Sequence, residues 1–461
     1  MSTNLTLIDT IFIVLMENRS FDQMLGYLSL PEYGRFNIEG LRKNTAYDPP
    51  LWQPGFIIPP GSQPFPMADP RAPLPGHFDP PHERTDIQIQ LGTSQTDSSG
   101  KLIYPMDGFV KSFPETISLY NADWPVVMGY FTGEELPTND FFAQNFSVCD
   151  HWFAALPAGT QPNRLMAMSG ISRIDTNVSG RLPEQKLVYD WLSEKGVSWR
   201  VYHEGLPFFM LMPSCLAKVF DDDKFRDFDR LAKDIQNETD ISFPRVIFVE
   251  PRYTNAPHID SPHDDHSPTA VDGGQRFLME VYAALTANPT RWKKSVMIVT
   301  YDEHGGYFDH VSPPRIPTPA PSGEYPPFAS TGVRVPAFVI SPFVEPGSVF
   351  KDDLDHTSIL QLLGEKFGGG YYSDEVEARK AAGLKSVSMV LTLAEARAEV
   401  PPPPELSPGF TPQRGVYDTM SAAFAAAWSD MQQQYPDKTP EKFPKLAGHF
   451  PEAGKPASNG D

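Results

Sequence analysis

The chain has 461 residues, with 58 acidic against 38 basic side chains and a formal net charge of −20. That length buries one large core or two, and that charge disfavours nucleic acid and anionic membrane surfaces, which recruit Lys and Arg. Two cysteines, Cys149 and Cys215, without C-x-x-C spacing exclude a disulfide framework and read as small buried hydrophobes.

The first twenty residues, MSTNLTLIDTIFIVLMENRS, carry neither a basic leader region nor a small-residue cleavage site, so they read as a strand and not a signal peptide. No apolar run reaches the roughly 18 residues of a membrane span. The expectation is a soluble chain, cytoplasmic as it stands, and secreted or periplasmic where a leader has been removed. Residues 11–16, IFIVLM, form a continuous apolar run of the kind a strand buried on both faces requires, and the run stops at Glu17-Asn18-Arg19-Ser20. Residues 31 to 110 are rich in Pro, Gly and Asp and read as long surface excursions of the kind that carry function or a lid. They include His77, Asp79 and His82 in HFDPPH, and the 49 prolines of the chain stiffen such loops.

After a more regular stretch at 129–152 comes AGTQPNRLMAMSG at 158–170. Thr160 is placed to cap a helix running from Asn163 to Ser169, with Pro162 in its first turn. A helix start of this kind favours an anion such as phosphate. Helices are then predicted over 187–195, closed by Gly196, and over 224–237, with strands over 198–202 and 245–249. HIDSPHDDHSP at 258–268 is an acidic and imidazole cluster. An amphipathic helix at 275–287 leads into the apolar run 296–299, which ends at Tyr301-Asp302-Glu303-His304, turns through Gly305-Gly306 and reaches Asp309-His310. A further strand covers 335–340, and Asp355-His356-Thr357-Ser358 opens the helix ILQLLGEKF. Beyond Ser386 the pattern predicts one or two helices around the prolines at 401–404, a helix near 417–434 and a loosely packed tail. Alternation of this kind implies an α/β fold of parallel βαβ units with right-handed crossovers.

Clustered carboxylates repel unless a proton or cation holds them. If the strands ending at Glu17-Asn18 and Asp302-Glu303 are neighbours in one parallel sheet, their carboxyl ends converge and four oxygen ligands surround one divalent cation. Hard oxygen donors favour calcium, magnesium or manganese over zinc. A hydroxyl beside that cation becomes a nucleophile, and Thr160 is the best placed. Histidines are left for leaving-group protonation and for holding phosphoryl oxygens.

ENRSFDQMLGYL at 17–28, TQPNRL at 160–165, YDEHGGYFDHVSPP at 301–314, RVPAFVISPF at 334–343 and DHTSIL at 355–360 together resemble the phosphoesterase family. That family holds bacterial phosphatidylcholine-preferring phospholipases C, plant non-specific phospholipases C and related acid phosphatases. The resemblance implies an alkaline-phosphatase-like fold, a three-layer αβα sandwich with a mostly parallel sheet and long surface loops, and a phospho-enzyme on Ser or Thr. It makes Glu17, Asn18, Asp302 and Glu303 metal and phosphate ligands and Thr160 the nucleophile and a fifth metal ligand, and it sets His304 and His356 at the rim. DDHSP at 264–268 and DPPHE at 79–83 resemble two further family blocks and bring in His266 and His82 as phosphate ligands. Residues 1–385 then make the catalytic domain, with 31–125 as a loop-rich insertion or lid, and 386–461 a C-terminal helical segment and tail packed on it.

The leading function is a metal-dependent phosphoester hydrolase with a phosphothreonine intermediate, cleaving phosphatidylcholine-like diesters as a phospholipase C does. Trp52, Trp124 and Trp152 offer faces to a choline head group. An acid phosphatase acting on monoesters, and a non-catalytic metal-stabilised binding protein, are the alternatives. H-E-x-x-H, G-x-S-x-G and Walker loops are missing.

Overall fold

The computed structural model describes residues 3–41, 65–66, 79–113, 126–267, 269–406 and 419–450; His77, Trp52 and Trp124 lie outside them. Eight strands form the central sheet: β1 (Thr10–Met16), β2 (Ser147–Cys149), β3 (Trp199–His203), β4 (Phe225–Asp227), β5 (Val246–Glu250), β6 (Ser295–Tyr301), β7 (Ala337–Ile340) and β8 (Val349–Phe350). Their order is β8-β2-β7-β6-β1-β5-β3-β4. All neighbours are parallel except those of β7, which runs antiparallel to both β6 and β2. β7 is the exception in a mostly parallel sheet because no crossover helix links β6 to β7, so the chain returns through a long loop and reverses direction.

The helices nearest the strand ends are α1 (Phe21–Leu25), α2 (Arg84–Leu91), α3 (Phe109–Ser112), α4 (Thr160–Ser169), α5 (Asp272–Thr286), α6 (Thr357–Phe367) and α7 (Thr419–Gln434). In one layer α5 packs with Pro137–Asn145, Leu231–Asn237 and Pro289–Trp292. In the other, α6 packs with α4 and Asp374–Ala381, and α4 with Val188–Glu194. Ile13 and Leu15 of β1 face Ala167 and Met168 of α4 and Leu360 and Leu363 of α6 across a small apolar cavity. The three-layer αβα sandwich with a mostly parallel sheet is therefore as expected.

β1 and β6 are buried along almost their whole length, as apolar runs without alternation require. They pair in register from Thr10 opposite Ser295 to Met16 opposite Tyr301, so both end at the same level and Glu17 emerges beside Asp302.

Four expectations need correction. The predicted helix 224–237 begins as edge strand β4 followed by a 3-10 turn, because the Asp227 side chain accepts from Asp229 N at 3.0 Å and delays the helix to Leu231. Segment 84–113 is not all loop, since it holds α2, α3 and a short hairpin of Gln95–Thr96 with Leu102–Ile103. Past Ser386 the chain makes only the turn Val387–Val390 before α7, within the described residues. The tail up to 450 is packed: Lys438–Lys442 and Pro444–His449 are helical, and Phe443 and Leu446 join the same hydrophobic core as Phe424, Trp428 and Met431 of α7.

Candidate active site

The two strand ends are tied to each other before any other group joins them. Asp302 N donates to Met16 O at 3.1 Å, and Asn18 N donates to Asp302 Oδ1, also at 3.1 Å. Asn18 reaches that position in the left-handed region, with φ 57°, which Asn tolerates better than most residues. Opposite it, Gly305 and Gly306 both have positive φ. A Cβ on Gly305 would sit 2.1 Å from Asn18 O, and one on Gly306 would sit 2.6 Å from Pro81 O. Only glycine lets this turn press between Asn18 and the Pro80-Pro81 backbone.

Helix α4 brings in Thr160. The expected N-cap role does not hold: Gly159 is the cap, Thr160 is the first helical residue, and no side chain caps this end. Asn163 instead closes the preceding loop, with its amide on Leu156 N and O, Ala158 O and Gly159 O. The Thr160 hydroxyl is thereby left to donate to Asn18 Oδ1 at 3.2 Å. One helical turn on, Arg164 reaches the same strand ends. Its Nε donates to Asp302 Oδ2 at 3.0 Å, Nη2 lies 3.1 Å from Glu17 Oε1, and Nη1 donates to Tyr253 Oη at 3.0 Å. The guanidinium packs against Phe208 and Tyr253, 4.8 and 4.9 Å from their ring centres, and Phe424 of α7 backs both rings.

All of these groups are buried. Burial pushes the Glu17 carboxyl well above its usual range against the pull of Arg164, and pushes Asp302 up to about 6 against the same pull. Burial also acts on Glu303, but His82 and His304 hold that carboxyl below its ordinary value. Neither Glu17 oxygen accepts a hydrogen bond, nor does Glu303 Oε1. Buried acceptors without donors are costly in a protein that keeps them bare. Their oxygen-only chemistry fits a hard divalent cation.

His82 stands beside this set, with Nδ1 2.7 Å from Pro80 O and Nε2 3.5 Å from Asn18 Nδ2 and 4.0 Å from Glu303 Oε1. Burial works against its charged form, but Asp79 and Glu303 outweigh it and raise the imidazole well above its ordinary value. His266 lies 6.3 Å from His82, ring to ring, and Asp79 lies between them at 3.7 Å from each. The loop carrying His266 is ordered by Asp264, which accepts from Thr254 Oγ1 and His266 N.

His304 Nε2 is 2.7 Å from Gln90 Oε1. His356 is brought to the strand end but has both nitrogens engaged: Nε2 donates to Asp302 O at 2.6 Å, and Nδ1 accepts from Trp152 Nε1 at 3.3 Å. Burial lowers it to about 4. The ring is thus held neutral against the Asp302 carbonyl. Trp152, fully buried and spent on that bond, has no face for a choline head group.

A second cluster lies behind the turn. One ligand atom each from Asp22, Asp309 and His310 falls within 4.8 Å of the others, the spacing of a metal site. Arg334 occupies it: Nη2 is 3.1 Å from Asp22 Oδ1 and Nε donates to Asp309 Oδ1 at 2.9 Å, while His310 Nδ1 is 2.6 Å from Asp22 Oδ2.

The family model described as "Phosphoesterase family" matches residues 8–368. The chain belongs to that family. Non-specific phospholipase C3 of Arabidopsis thaliana is 34% identical over 382 residues, which cover 78% of this chain and 69% of that protein. Non-specific phospholipase C5 of the same plant is 33% identical, covering 74% of this chain and 65% of its own length. Phospholipase C A of Mycobacterium tuberculosis is 28% identical, covering 79% and 74%. The chain thus spans about two thirds of the plant relatives it matches. Among solved structures, a protein of the alkaline phosphatase superfamily from Vibrio parahaemolyticus matches at 13% identity and TM-score 0.32, covering 52% of this chain and 62% of that one. The phosphonate monoester hydrolase of Silicibacter pomeroyi matches at 12% and 0.33, covering 58% and 73%. Likenesses that distant do not bear on the site. As a phosphoesterase-family member the chain is a phosphoric ester hydrolase.

Arg164, Gln90, Asp79, Asp264 and Arg334 hold this site, and the sequence reading gave none of them a role. Arg164 had one available signal, its place four residues after Thr160 on one helix face. Arg334 had its place at the head of RVPAFVISPF, and Gln90 had none.

Proposed function

We propose that this phosphoesterase is metal-dependent, that Thr160 is its nucleophile, and that it cleaves phosphatidylcholine-like phosphodiesters on the glycerol side, as the names of its phospholipase C relatives suggest. The observation that carries this reading is the Thr160 hydroxyl. It is buried, unused as a helix cap, and aimed at Asn18 beside carboxylate oxygens that have no donors. Glu17, Asn18, Thr160, Asp302 and Glu303 would hold one divalent cation of the calcium, magnesium or manganese type, which when bound supplies the positive charge that favours the threonine alkoxide and offsets the phosphoryl oxygens.

The chain's own groups do the rest. His82, drawn toward its charged form, and His266 bind the non-bridging oxygens and orient phosphorus for attack in line with the leaving oxygen. Thr160 Oγ forms the new P–O bond as the bond to the leaving oxygen breaks. The threonine proton is given up to water, and His82 gives a proton to the departing alcohol. Water then attacks the phosphothreonine and returns its proton to His82, while Thr160 leaves phosphorus and regains a proton from water. Asn18 holds the hydroxyl in place, and His356 and Arg164 keep Asp302 and Glu17 oriented. Residues 1–385 make up the catalytic domain in this reading, 31–125 its lid, and 386–461 a support that reaches Arg164 through Phe424.

The test is a side-by-side assay of p-nitrophenyl phosphorylcholine and p-nitrophenyl phosphate on protein that has been chelated and then given back metal. Metal-restored preference for the choline diester is the expected result. Preference for the monoester would make the enzyme a phosphatase, and no turnover of either would remove the hydrolytic reading.

A further inference from the structure

We propose that Gln90 is a positioning residue that keeps the Nε2 nitrogen of His304 protonated and so turns Nδ1, and only Nδ1, toward Glu303. The inference deepens the reading above and rests on it for its catalytic weight, but its structural content is independent of turnover.

The argument is a closed accounting of donors and acceptors around one buried amide. Gln90 is fully buried on α2. Its Nε2 lies 2.7 Å from Pro81 O, and a carbonyl can only accept. The same Nε2 lies 3.1 Å from Ser112 Oγ, whose own proton goes to Phe109 O at 3.0 Å, so this hydroxyl also accepts from Gln90. Both amide protons are therefore spent, and the orientation of the amide is fixed by its partners and not by choice. That leaves Oε1 facing His304 Nε2 at 2.7 Å, and Oε1 has no proton to give. The Nε2 atom must supply it. The tautomer with its proton on Nδ1 alone would set two lone pairs against each other at that distance and is excluded.

The consequence falls on Glu303. His304 Nδ1 is buried, has no hydrogen-bond partner, and stands 3.3 Å from Glu303 Oε2, which already accepts from Gly305 N at 2.8 Å. Gln90 therefore holds the ring with Nδ1, and not Nε2, toward the carboxylate. The clamp is rigid. Gly108 lets α3 close on α2, since a Cβ there would sit 1.7 Å from Ile89 O, and Phe109 packs edge-on against the His304 ring at 6.0 Å. The α2–α3 pair is thus an inner wall of the site, built from a stretch whose sequence reads as loop.

The experiment is long-range 1H–15N NMR of the histidine side chains at neutral pH, with His304 assigned by comparison with His304→Asn. The expected result is a protonated Nε2 in the wild type, lost or strongly shifted in Gln90→Leu and retained in Gln90→Glu, whose carboxylate still accepts. A wild-type ring with bare Nε2, or an unchanged signal in Gln90→Leu, overturns the proposal. In parallel, Gln90→Leu should lower kcat on p-nitrophenyl phosphorylcholine about 10- to 100-fold with KM little changed, and Gln90→Glu should recover part of it. Equal kcat loss in both variants would reduce Gln90 to packing. If Gln90→Leu does not fold, the wild-type spectrum and Gln90→Glu still decide. A protonated Nε2 in a protein with no turnover would support Gln90 while removing the phosphoesterase reading of the site.

Discussion

Replacing Arg164 with Met tests whether the guanidinium is what makes the acid pair tolerable inside the fold. In the wild type, lifting the Asp302 carboxyl from its ordinary 3.8 to about 6 means that ionising it in place already costs about 3 kcal/mol, with Arg164 helping. Taking one partner from a buried ion pair typically costs a further 3–5 kcal/mol, roughly, because the other charge is left uncompensated. The sign with pH follows from that. A carboxyl whose value in the fold is raised destabilises the folded state once pH rises past its unfolded value, and removing Arg164 raises Asp302 and Glu17 further. The penalty of Arg164→Met therefore grows above pH 6. At pH 5 both proteins hold Asp302 protonated, and what is lost is the hydrogen bonds to Asp302 Oδ2, Tyr253 Oη, Leu15 O and Met16 O, each about 0.5–1.5 kcal/mol. Urea unfolding in chelator at pH 5.0 and 7.5 measures both. A penalty equal at the two pH values, or larger at pH 5.0, refutes the electrostatic account.

Thr160→Ala should lose turnover by about 10⁴-fold or more and stability by only about 1 kcal/mol, the worth of the bond to Asn18. Thr160→Ser should keep measurable activity, and full activity in the alanine variant would end the nucleophile assignment. Glu17→Gln should no longer bind a metal equivalent by calorimetry, yet should unfold at higher urea than metal-free wild type at pH 7.5, because it removes a buried charge without donors. Lower stability in chelator would contradict that. Gly305→Ala should cost at least about 2 kcal/mol from left-handed strain and the collision with Asn18 O, and activity with it. A variant as stable as wild type would show that the turn has room to move.

Much of this site was legible because buried parallel strands announce themselves. IFIVLM and the run before Tyr301 have no polar alternation, and each stops at acidic residues with a further oxygen ligand beside them, so the convergence of Glu17-Asn18 with Asp302-Glu303 needed only that β1 and β6 be neighbours. Their flush register, by contrast, is a property of the pairing and is written in neither strand alone. Thr160 was misread for a physical reason: a threonine before a helical run ordinarily caps it, and nothing local reveals that Asn163 closes the loop and Gly159 takes the cap. The antiparallel β7 and the strand start at Phe225 escaped because connection length and edge pairing are long-range facts. Arg164, Gln90 and Arg334 escaped because a charged or amide side chain in sequence reads as solvated surface, whereas here all three are buried.

Arg164 and Arg334 are both buried behind these strand ends, and the difference between them bears on where the proposed cation would sit. Around Arg334 the accounts close: Asp22 Oδ1 takes the guanidinium, Asp22 Oδ2 takes His310, Asp309 Oδ1 takes Arg334 Nε and Val311 N, and Asp309 Oδ2 accepts from Asp22 N at 3.2 Å. The best-spaced ligand set among the described residues is thus already neutralised by the protein's own cation, and it pins α1 to the turn that carries Glu303. Around Arg164 the accounts stay open, with both Glu17 oxygens and Glu303 Oε1 lacking donors despite the guanidinium at 3.1 Å. One positive charge cannot satisfy three buried carboxylates. Ligand spacing favours the first cluster; hydrogen-bond satisfaction favours the second. Satisfaction is the stronger criterion, because a bare buried carboxylate oxygen costs free energy that only a proton, a donor or a metal ion removes.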